Sequence, residues 1–307
     1  MNINLRLSRK LFNDAYYSDL LDYSNRYQVF YGGAGSGKSH YVFQKAIIKA
    51  LREPRKILVI RKVARTLKDS CFQMALDTLS KLKILTYCKV NNSTFTIELP
   101  NGSSLLFKGL DDPEKIKSIA GITDIVIEEA TELTFEEFSQ LDLRLRAKAA
   151  NQQIYLMFNP VSKVNWCYRH WFENGTPANT KIIKTTYKDN RFLPQDYIDS
   201  LEAMKTTNFA YWNIYANGEF CSLDKLVYTN WRVSDEVPPK GLFLLVGLDF
   251  GYVNDPSAMV VSYLDSENGR IYITDEFYAI GKLNNEIADM IKYKGLAKEV
   301  IIADSAE

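Results

Sequence analysis

Eight residues near the N-terminus carry the strongest chemical signal in the sequence. They match the pattern G-x-x-x-x-G-K-[ST] in full and are Gly32, Gly33, Ala34, Gly35, Ser36, Gly37, Lys38 and Ser39. Glycines let the backbone curl so that several N–H groups point inward at phosphate oxygens. Lys38 then reaches the β- and γ-phosphates, and the Ser39 hydroxyl is a ligand for Mg²⁺. The motif therefore predicts a loop that binds ATP together with Mg²⁺.

A pair of glutamates follows an apolar run further along the chain. Residues 125–127 are Ile-Val-Ile, and Glu128 and Glu129 come directly after them. Because α/β folds bind ligands at the carboxyl ends of their strands, we expect this pair to face the phosphate-binding loop. We assign Glu128 to the magnesium shell and Glu129 to activating or orienting the attacking water. The alternative is the start of a helix, where carboxylates are also favoured.

Three other side chains are candidates for the same site, and each has an ordinary structural alternative. Asn159 follows an apolar strand and is a candidate sensor of phosphate or water, although Asn-Pro is also a common strand stop. Arg144 or Arg146 is a candidate arginine finger that acts on the nucleotide of the next subunit. An arginine at a helix C-terminus is the alternative for both, and the basic stretch around Arg61 and Arg65 supplies a further candidate finger.

Alternating elements around these motifs predict an α/β layer fold with a mostly parallel sheet. Residues 27–31 form an apolar strand before the loop, and residues 40–51 have helical spacing after it. This order of elements favours a right-handed crossover between parallel strands. An Asn-Gly pair at Asn101 predicts a hairpin over residues 94–108. Other elements are predicted at residues 57–60, 121–127, 135–145, 154–158, 182–187 and 194–204.

A second domain is predicted after Pro238-Pro239-Lys240-Gly241. Strands are expected at residues 243–249, 257–264, 270–277 and 299–304, with a helix before the last one. Asp249 ends the first of these strands and Asp304 ends the last, so adjacent parallel strands would bring the two carboxylates together. Carboxylates so placed bind paired Mg²⁺ or Mn²⁺ ions about 3.5–4 Å apart. We assign residues 1–225 to an ATPase domain, 226–240 to a linker and 241–307 to a second domain.

Bulk properties exclude some classes of protein and decide little else. The 307 residues have a net charge of +1. The sequence contains no run of eighteen apolar residues, so no transmembrane helix is predicted. Residues 1–10 lack the apolar core of a secretory signal. The four cysteines and two histidines are too scattered to predict a zinc site. The basic excess between Arg52 and Lys68 is more typical of a solvated face than of a binding surface.

Taken in chain order, these pieces resemble the large terminase subunit of tailed bacteriophages. The residues that carry the resemblance are 31–39, 57–62, 101–103, 109–113, 128–132, 158–160, 248–252 and 302–305. The resemblance implies an ASCE-like P-loop NTPase fold followed by the beginning of a ribonuclease H-like domain. It also implies ATP-driven translocation of double-stranded DNA into a procapsid, and endonuclease cutting of concatemeric DNA.

The resemblance implies partners and leaves alternatives open. The implied partners are the portal protein of the procapsid, a terminase small subunit and further copies of the chain in a ring, all in the host cytoplasm. The family uses a third acidic residue beyond the strand that ends at Asp304, whereas this sequence stops at Glu307. We therefore expect weak nuclease activity or none. The alternatives are a helicase-like ATPase and a nucleotide-binding protein that does not hydrolyse.

Overall fold

A computed structural model of the chain describes residues 7–110, 119–221, 234–251 and 256–303. Its contacts divide the chain into two units, residues 1–225 and residues 226–307. Over the described ranges, no helix is both long enough and apolar enough to cross a membrane.

An eight-stranded sheet forms the centre of the N-terminal unit. Its strands are β1 Tyr27–Gly32, β2 Lys56–Arg61, β3 Lys89–Asn91, β4 Thr96–Glu98, β5 Ser104–Gly109, β6 Asp124–Ile127, β7 Gln153–Phe158 and β8 Thr180–Thr185. They lie in the order β3-β4-β5-β2-β6-β7-β1-β8. All neighbours from β5 to β8 are parallel, and only β3, β4 and β5 pair antiparallel. The predicted α/β fold with a mostly parallel sheet is confirmed.

Helices cover both faces of this sheet. They are α1 Asp14–Tyr17, α2 Lys38–Arg52, α3 Gln73–Lys81, α4 Phe135–Asp142, α5 Trp166–Tyr168, α6 Gln195–Thr207 and α7 Phe209–Tyr215. One core packs Phe43 of α2 and Leu79 of α3 against Val59 of β2. A second core packs Phe138 of α4 against Leu58, the residue before Val59. Successive strand residues point to opposite faces, so the all-apolar strands bury side chains in both layers.

Several boundaries differ from the predicted ones for local reasons. Helix α4 starts with a capping box in which Thr134 and Glu137 bond reciprocally, but it ends at Asp142 instead of residue 145. Tight turns follow, since Arg144 N–H donates to the carbonyl of Leu141. The hairpin across Asn101 is present as β4 and β5. Strand β3, helix α3 and helix α7 were not predicted.

The C-terminal unit contains a four-stranded sheet and one helix. The elements are β9 Phe243–Asp249, β10 Ser257–Asp265, β11 Arg270–Ala279, α8 Asn284–Tyr293 and β12 Ile301–Ala303. The strand order is β11-β10-β9-β12, and β12 lies parallel to β9. Ile287 of α8 packs against Val246 and Met259, which forms a small apolar core. The predicted strands and helix are therefore present.

Candidate functional site

The phosphate-binding loop connects the central strand β1 to helix α2. It requires glycine for two separate reasons. Gly37 caps α2 with φ +81°, a backbone conformation that residues with a Cβ rarely adopt. A Cβ on Gly32 would lie 1.8 Å from the carbonyl oxygen of Thr185. The glycines thus allow both the curl of the loop and its close packing on the neighbouring strand.

Two segments far away in sequence hold the loop in place. The N–H of Gly33 donates to the carbonyl of Thr185 at 3.1 Å, and the N–H of Ala34 donates to the carbonyl of Tyr215 at 2.7 Å. Gly218 packs so closely that a Cβ there would lie 2.9 Å from the Cα of Gly32. Sequence reasoning missed these supports because backbone contacts between distant segments leave no side-chain motif.

Lys38 lies at the centre of the site and is only 9% exposed. Its ammonium group donates to the side-chain oxygen of Asn159 at 2.6 Å and to the carbonyl of Gly33 at 3.1 Å. Burial lowers the pKa of Lys38 to about 8, against the opposing effects of Glu129 and Glu128. The fold therefore brings together the predicted lysine and the predicted sensor asparagine, which lie 121 residues apart.

The two glutamates follow β6 at the same edge of the sheet. Glu128 is 7% exposed, and its N–H donates to the carbonyl of Ile60 on β2 at 3.0 Å. Its Oε2 accepts a hydrogen bond from the thiol of Cys71 at 2.7 Å, and Arg61 Nη1 lies 4.0 Å from the same oxygen. Sequence reasoning missed Cys71, since an isolated cysteine carries no signal.

Glu129 has a strained backbone and a perturbed carboxyl group. Its φ of +52° and ψ of +54° lie in the left-handed region, which is uncommon for residues other than glycine. Burial raises the pKa of Glu129, Lys38 lowers it, and Glu128 raises it again. A short 3-10 turn, Ala130–Glu132, follows the pair. Strain and a raised carboxyl pKa together are typical of a functional group.

A cavity of about 690 Å³ opens beside the loop. Its walls come from the loop, from the N-terminal segment and from the turn before α6, and include Lys10, Leu11, Asn13, Ser36, Lys38, Gln44, Asn190, Phe192 and Leu193. Asn13 Oδ1 and Ser36 Oγ are buried there without a hydrogen-bond partner in the described part of the chain. The Ser36 hydroxyl can donate to a phosphate oxygen, and the amide oxygen of Asn13 can accept from an N–H or O–H group, so the two fit a ligand that carries both kinds of group, such as a nucleotide.

Arg144 and Arg146 lie away from this cavity in the same chain. Both follow α4, whose last residue Asp142 accepts a 2.6 Å hydrogen bond from Arg26, just before β1 begins. They therefore lie near the amino ends of the strands, whereas the loop and the glutamates lie at the carboxyl ends. Within one chain, the structure does not bring either arginine to Lys38.

The C-terminal unit places the predicted strands side by side. Ala303 of β12 pairs with Leu248 of β9, and exposed Asp249 follows Leu248 as the last residue of its strand. Asp304 lies outside the described residues. Within the described ranges, no three His, Cys, Asp or Glu side chains form a group that could hold a metal ion.

Comparison with known families decides how this architecture is classified. The family model described as phage terminase large subunit matches residues 24–219, which include the loop, the glutamate pair and Asn159. The chain belongs to this family. A second family model, described as a terminase RNAseH like domain, matches residues 249–307. The predicted family and the predicted order of its two domain types are confirmed.

Two curated relatives belong to phages of Bacillus. The chain is 29% identical over 313 residues to the PBSX phage terminase large subunit of Bacillus subtilis (strain 168), a match over 94% of this chain and 72% of the relative. It is 30% identical over 295 residues to the terminase large subunit of Bacillus phage SPP1, over 91% of this chain and 70% of the relative.

Solved structures of large terminases have the same fold. The large terminase of a thermophilic bacteriophage, in complex with ADP, superimposes with a TM-score of 0.59 at 14% identity, over 96% of this chain and 78% of that one. The ATPase domain of the large terminase of Thermus phage P74-26 gives 0.52 at 14% identity, over 64% of this chain and 89% of that one.

Proposed function

We propose that the N-terminal unit hydrolyses ATP to drive double-stranded DNA into a viral procapsid. The observation that carries this proposal is the convergence of four side chains at one edge of the sheet. Lys38 contacts Asn159 directly, and the charges of Glu128 and Glu129 both act on Lys38. Membership of the phage terminase large subunit family supports DNA as the substrate that is moved.

The loop and its neighbours have distinct tasks in this proposal. Backbone N–H groups of residues 32–39 and the ammonium of Lys38 hold the phosphates of ATP. Ser39 and Glu128 supply oxygen ligands for Mg²⁺, which when bound neutralises charge on the phosphate oxygens. Asn13 Oδ1 and Ser36 Oγ are buried at the cavity wall without a partner among the described residues. They form hydrogen bonds with polar groups of the nucleotide.

Glu129 is the general base for the attacking water. The water oxygen bonds to the γ-phosphorus, the bond from that phosphorus to the bridging oxygen breaks, and Glu129 accepts the proton. Burial raises the pKa of Glu129. A raised pKa makes the carboxylate a stronger base than an exposed glutamate. Asn159 reports the reaction, because the lysine that it holds is the lysine that contacts the phosphates.

The remaining assignments concern the assembled complex. Arg144 or Arg146 acts as the finger on a neighbouring copy in a ring, since neither reaches the site of its own chain. The ring docks on the portal protein in the host cytoplasm and works with a small subunit. Residues 1–225 are the motor domain, 226–240 the linker, and 241–307 the first part of a nuclease in which Asp249 and Asp304 bind Mg²⁺ or Mn²⁺.

Release of phosphate from ATP in Mg²⁺ buffer tests the motor assignment. Glu129→Gln should lower kcat by about 10²–10⁴-fold, as expected for loss of a general base, and should keep nucleotide binding. Lys38→Ala should lose nucleotide binding. Glu128→Gln should need a higher Mg²⁺ concentration for half-maximal hydrolysis. Glu136→Gln, an exposed residue on α4, is the matched control.

Three results would contradict this assignment. An unchanged rate of hydrolysis in Glu129→Gln would show that Glu129 is not the general base. Nucleotide binding without hydrolysis in the native chain would favour a non-hydrolysing protein. Strand separation of a DNA duplex, without portal or procapsid, would favour a helicase.

A further inference from the structure

Residues near both ends of one segment approach Glu128, the glutamate that the proposed function assigns to Mg²⁺. Residues 61–72, here called the coupling segment, run from the last residue of β2 to the start of α3. Arg61 at its beginning and Cys71 near its end both approach the same oxygen, Oε2 of Glu128, at 4.0 Å and 2.7 Å. Any displacement of the segment therefore changes the surroundings of that carboxylate.

The two contacts differ in kind, since one is a hydrogen bond and the other is a charge interaction at longer range. Cys71 is fully buried, and burial together with the charge of Glu128 raises the pKa of its thiol. The thiol donates to the carboxylate. The guanidinium of Arg61 is partly exposed and contributes charge at longer range. Together they orient one oxygen of Glu128.

The outer side of the same segment carries exposed positive charge. Arg65 and Lys68 are exposed, and neither has an ion-pair partner among the residues that the structure describes. Lys62 is neutralised by Glu137, and Asp69 is the acidic residue within the segment. A duplex presents one negative charge per about 1.7 Å of its axis, which is the kind of partner that two nearby exposed cations attract.

The segment is anchored so that a movement at its surface reaches Cys71. Leu67 and Phe72 are buried in the core at 2% and 3% exposure. Between them runs a π-turn, closed by the Phe72 N–H donating to the carbonyl of Leu67 at 3.0 Å. Lys68 begins this turn and Cys71 lies inside it. A π-turn holds one residue more than an α-turn, so its rearrangement rotates the side chains that it contains.

We propose that the coupling segment links DNA contact to ATP hydrolysis. Arg65 and Lys68 bind phosphates of the duplex, and Arg61 and Cys71 pass the resulting shift to the carboxylate of Glu128. Arg61 and Cys71 are positioning residues in this scheme. The inference rests on the proposed function and adds to it the surface that contacts DNA and the route from that surface to the site.

The first experiment removes the surface charges. In Arg65→Ala/Lys68→Ala, basal hydrolysis of ATP should match the native rate, while the stimulation of hydrolysis by linear duplex DNA should disappear. Binding of a short fluorescent duplex should weaken, and the slope of log affinity against log salt should fall by about 2. The matched control is Arg52→Ala/Lys148→Ala, which removes two exposed cations at the amino ends of the strands and should change nothing.

The second experiment removes the thiol. Cys71→Ala should raise the Mg²⁺ concentration for half-maximal hydrolysis and lower DNA stimulation, each by about tenfold, because Glu128 loses a hydrogen bond to its charged form. Cys71→Ser keeps an O–H donor and should restore both. A purely structural role would lower Tm alone. Cys167→Ala is the control, since Cys167 is equally buried in the other core.

The outcomes separate the two proposals. If Arg65→Ala/Lys68→Ala keeps full stimulation by DNA and full affinity for the duplex, the coupling-segment proposal is overturned. The proposed motor function would be unaffected. If DNA does not stimulate ATP hydrolysis by the native chain, the coupling-segment proposal is overturned as well. A native chain without any hydrolysis would overturn both proposals.

Discussion

The ammonium of Lys38 donates to the side-chain oxygen of Asn159 at 2.6 Å, which joins the phosphate-binding loop to the residue that follows β7. The same ammonium also contacts the carbonyls of Gly32 and Gly33. The charge that should meet the phosphates is therefore tied to a neighbouring strand. In the proposed mechanism, a change at the phosphates would reach Asn159 through this single contact with Lys38.

Removing the asparagine side chain should slow hydrolysis. A hydrogen bond to a charged group contributes about 1.5–3 kcal/mol, so Asn159→Ala should lower kcat by about 10–100-fold. Steady-state phosphate release measures this effect. Asn174→Ala, at an exposed position that follows the π-turn Arg169–Glu173, should retain the native kcat. An unchanged kcat in Asn159→Ala would show that the contact with Lys38 has no part in turnover.

Nucleotide binding should take up protons at alkaline pH. The pKa of Lys38, lowered to about 8 by burial, means that the group is partly neutral at and above that pH. Phosphates favour the charged form and raise this pKa, so proton uptake on binding should be small near neutral pH and approach one per site well above pH 8. Calorimetry in buffers of different ionisation enthalpy measures the uptake. Lys38→Arg should bind without it, because arginine stays charged. Equal uptake in both proteins would contradict the assignment to Lys38.

The base position should be destabilising as well as catalytic. Glu129 combines a left-handed backbone with a buried carboxyl whose pKa is raised. Glu129→Gly relieves both and should raise the free energy of unfolding by about 1 kcal/mol while it abolishes hydrolysis. Chemical denaturation and an ATPase assay on the same sample measure the two effects. Glu132→Gly, three residues on, should instead destabilise. A less stable Glu129→Gly protein would refute the idea of strain at the site.

A buried ionic cluster should support the opposite edge of the sheet. Asp124 is fully buried and accepts from Lys49 at 2.6 Å and from Arg55 at 3.5 Å. Asp124→Ala would leave buried Lys49 without its carboxylate and leave buried Arg55 with Glu53 alone, which costs about 3–5 kcal/mol of unfolding free energy. Thermal or urea unfolding measures this loss. Asp77→Ala, at an exposed position of α3, should cost less than about 0.5 kcal/mol. Similar losses for both variants would contradict the cluster's role.

Local chemistry was open to prediction from the sequence. The loop needs glycines, a lysine and a hydroxyl within eight residues, so its backbone and its ligand follow from a short motif. Apolar runs identified the buried strands, and Glu128 and Glu129 could be placed at the end of one of them. The strands after residue 241 could also be predicted from the sequence, and they are present as β9, β10 and β11.

Contacts between elements were decided only by the tertiary structure. Strand order and register set which distant side chains meet, and neither is encoded in a local pattern. Asn159 reaches Lys38 because β7 lies beside β1, and Cys71 reaches Glu128 because β2 lies beside β6. The same order keeps Arg144 at the other edge of the sheet. Sequence determined the chemistry of each group, whereas packing determined its partners.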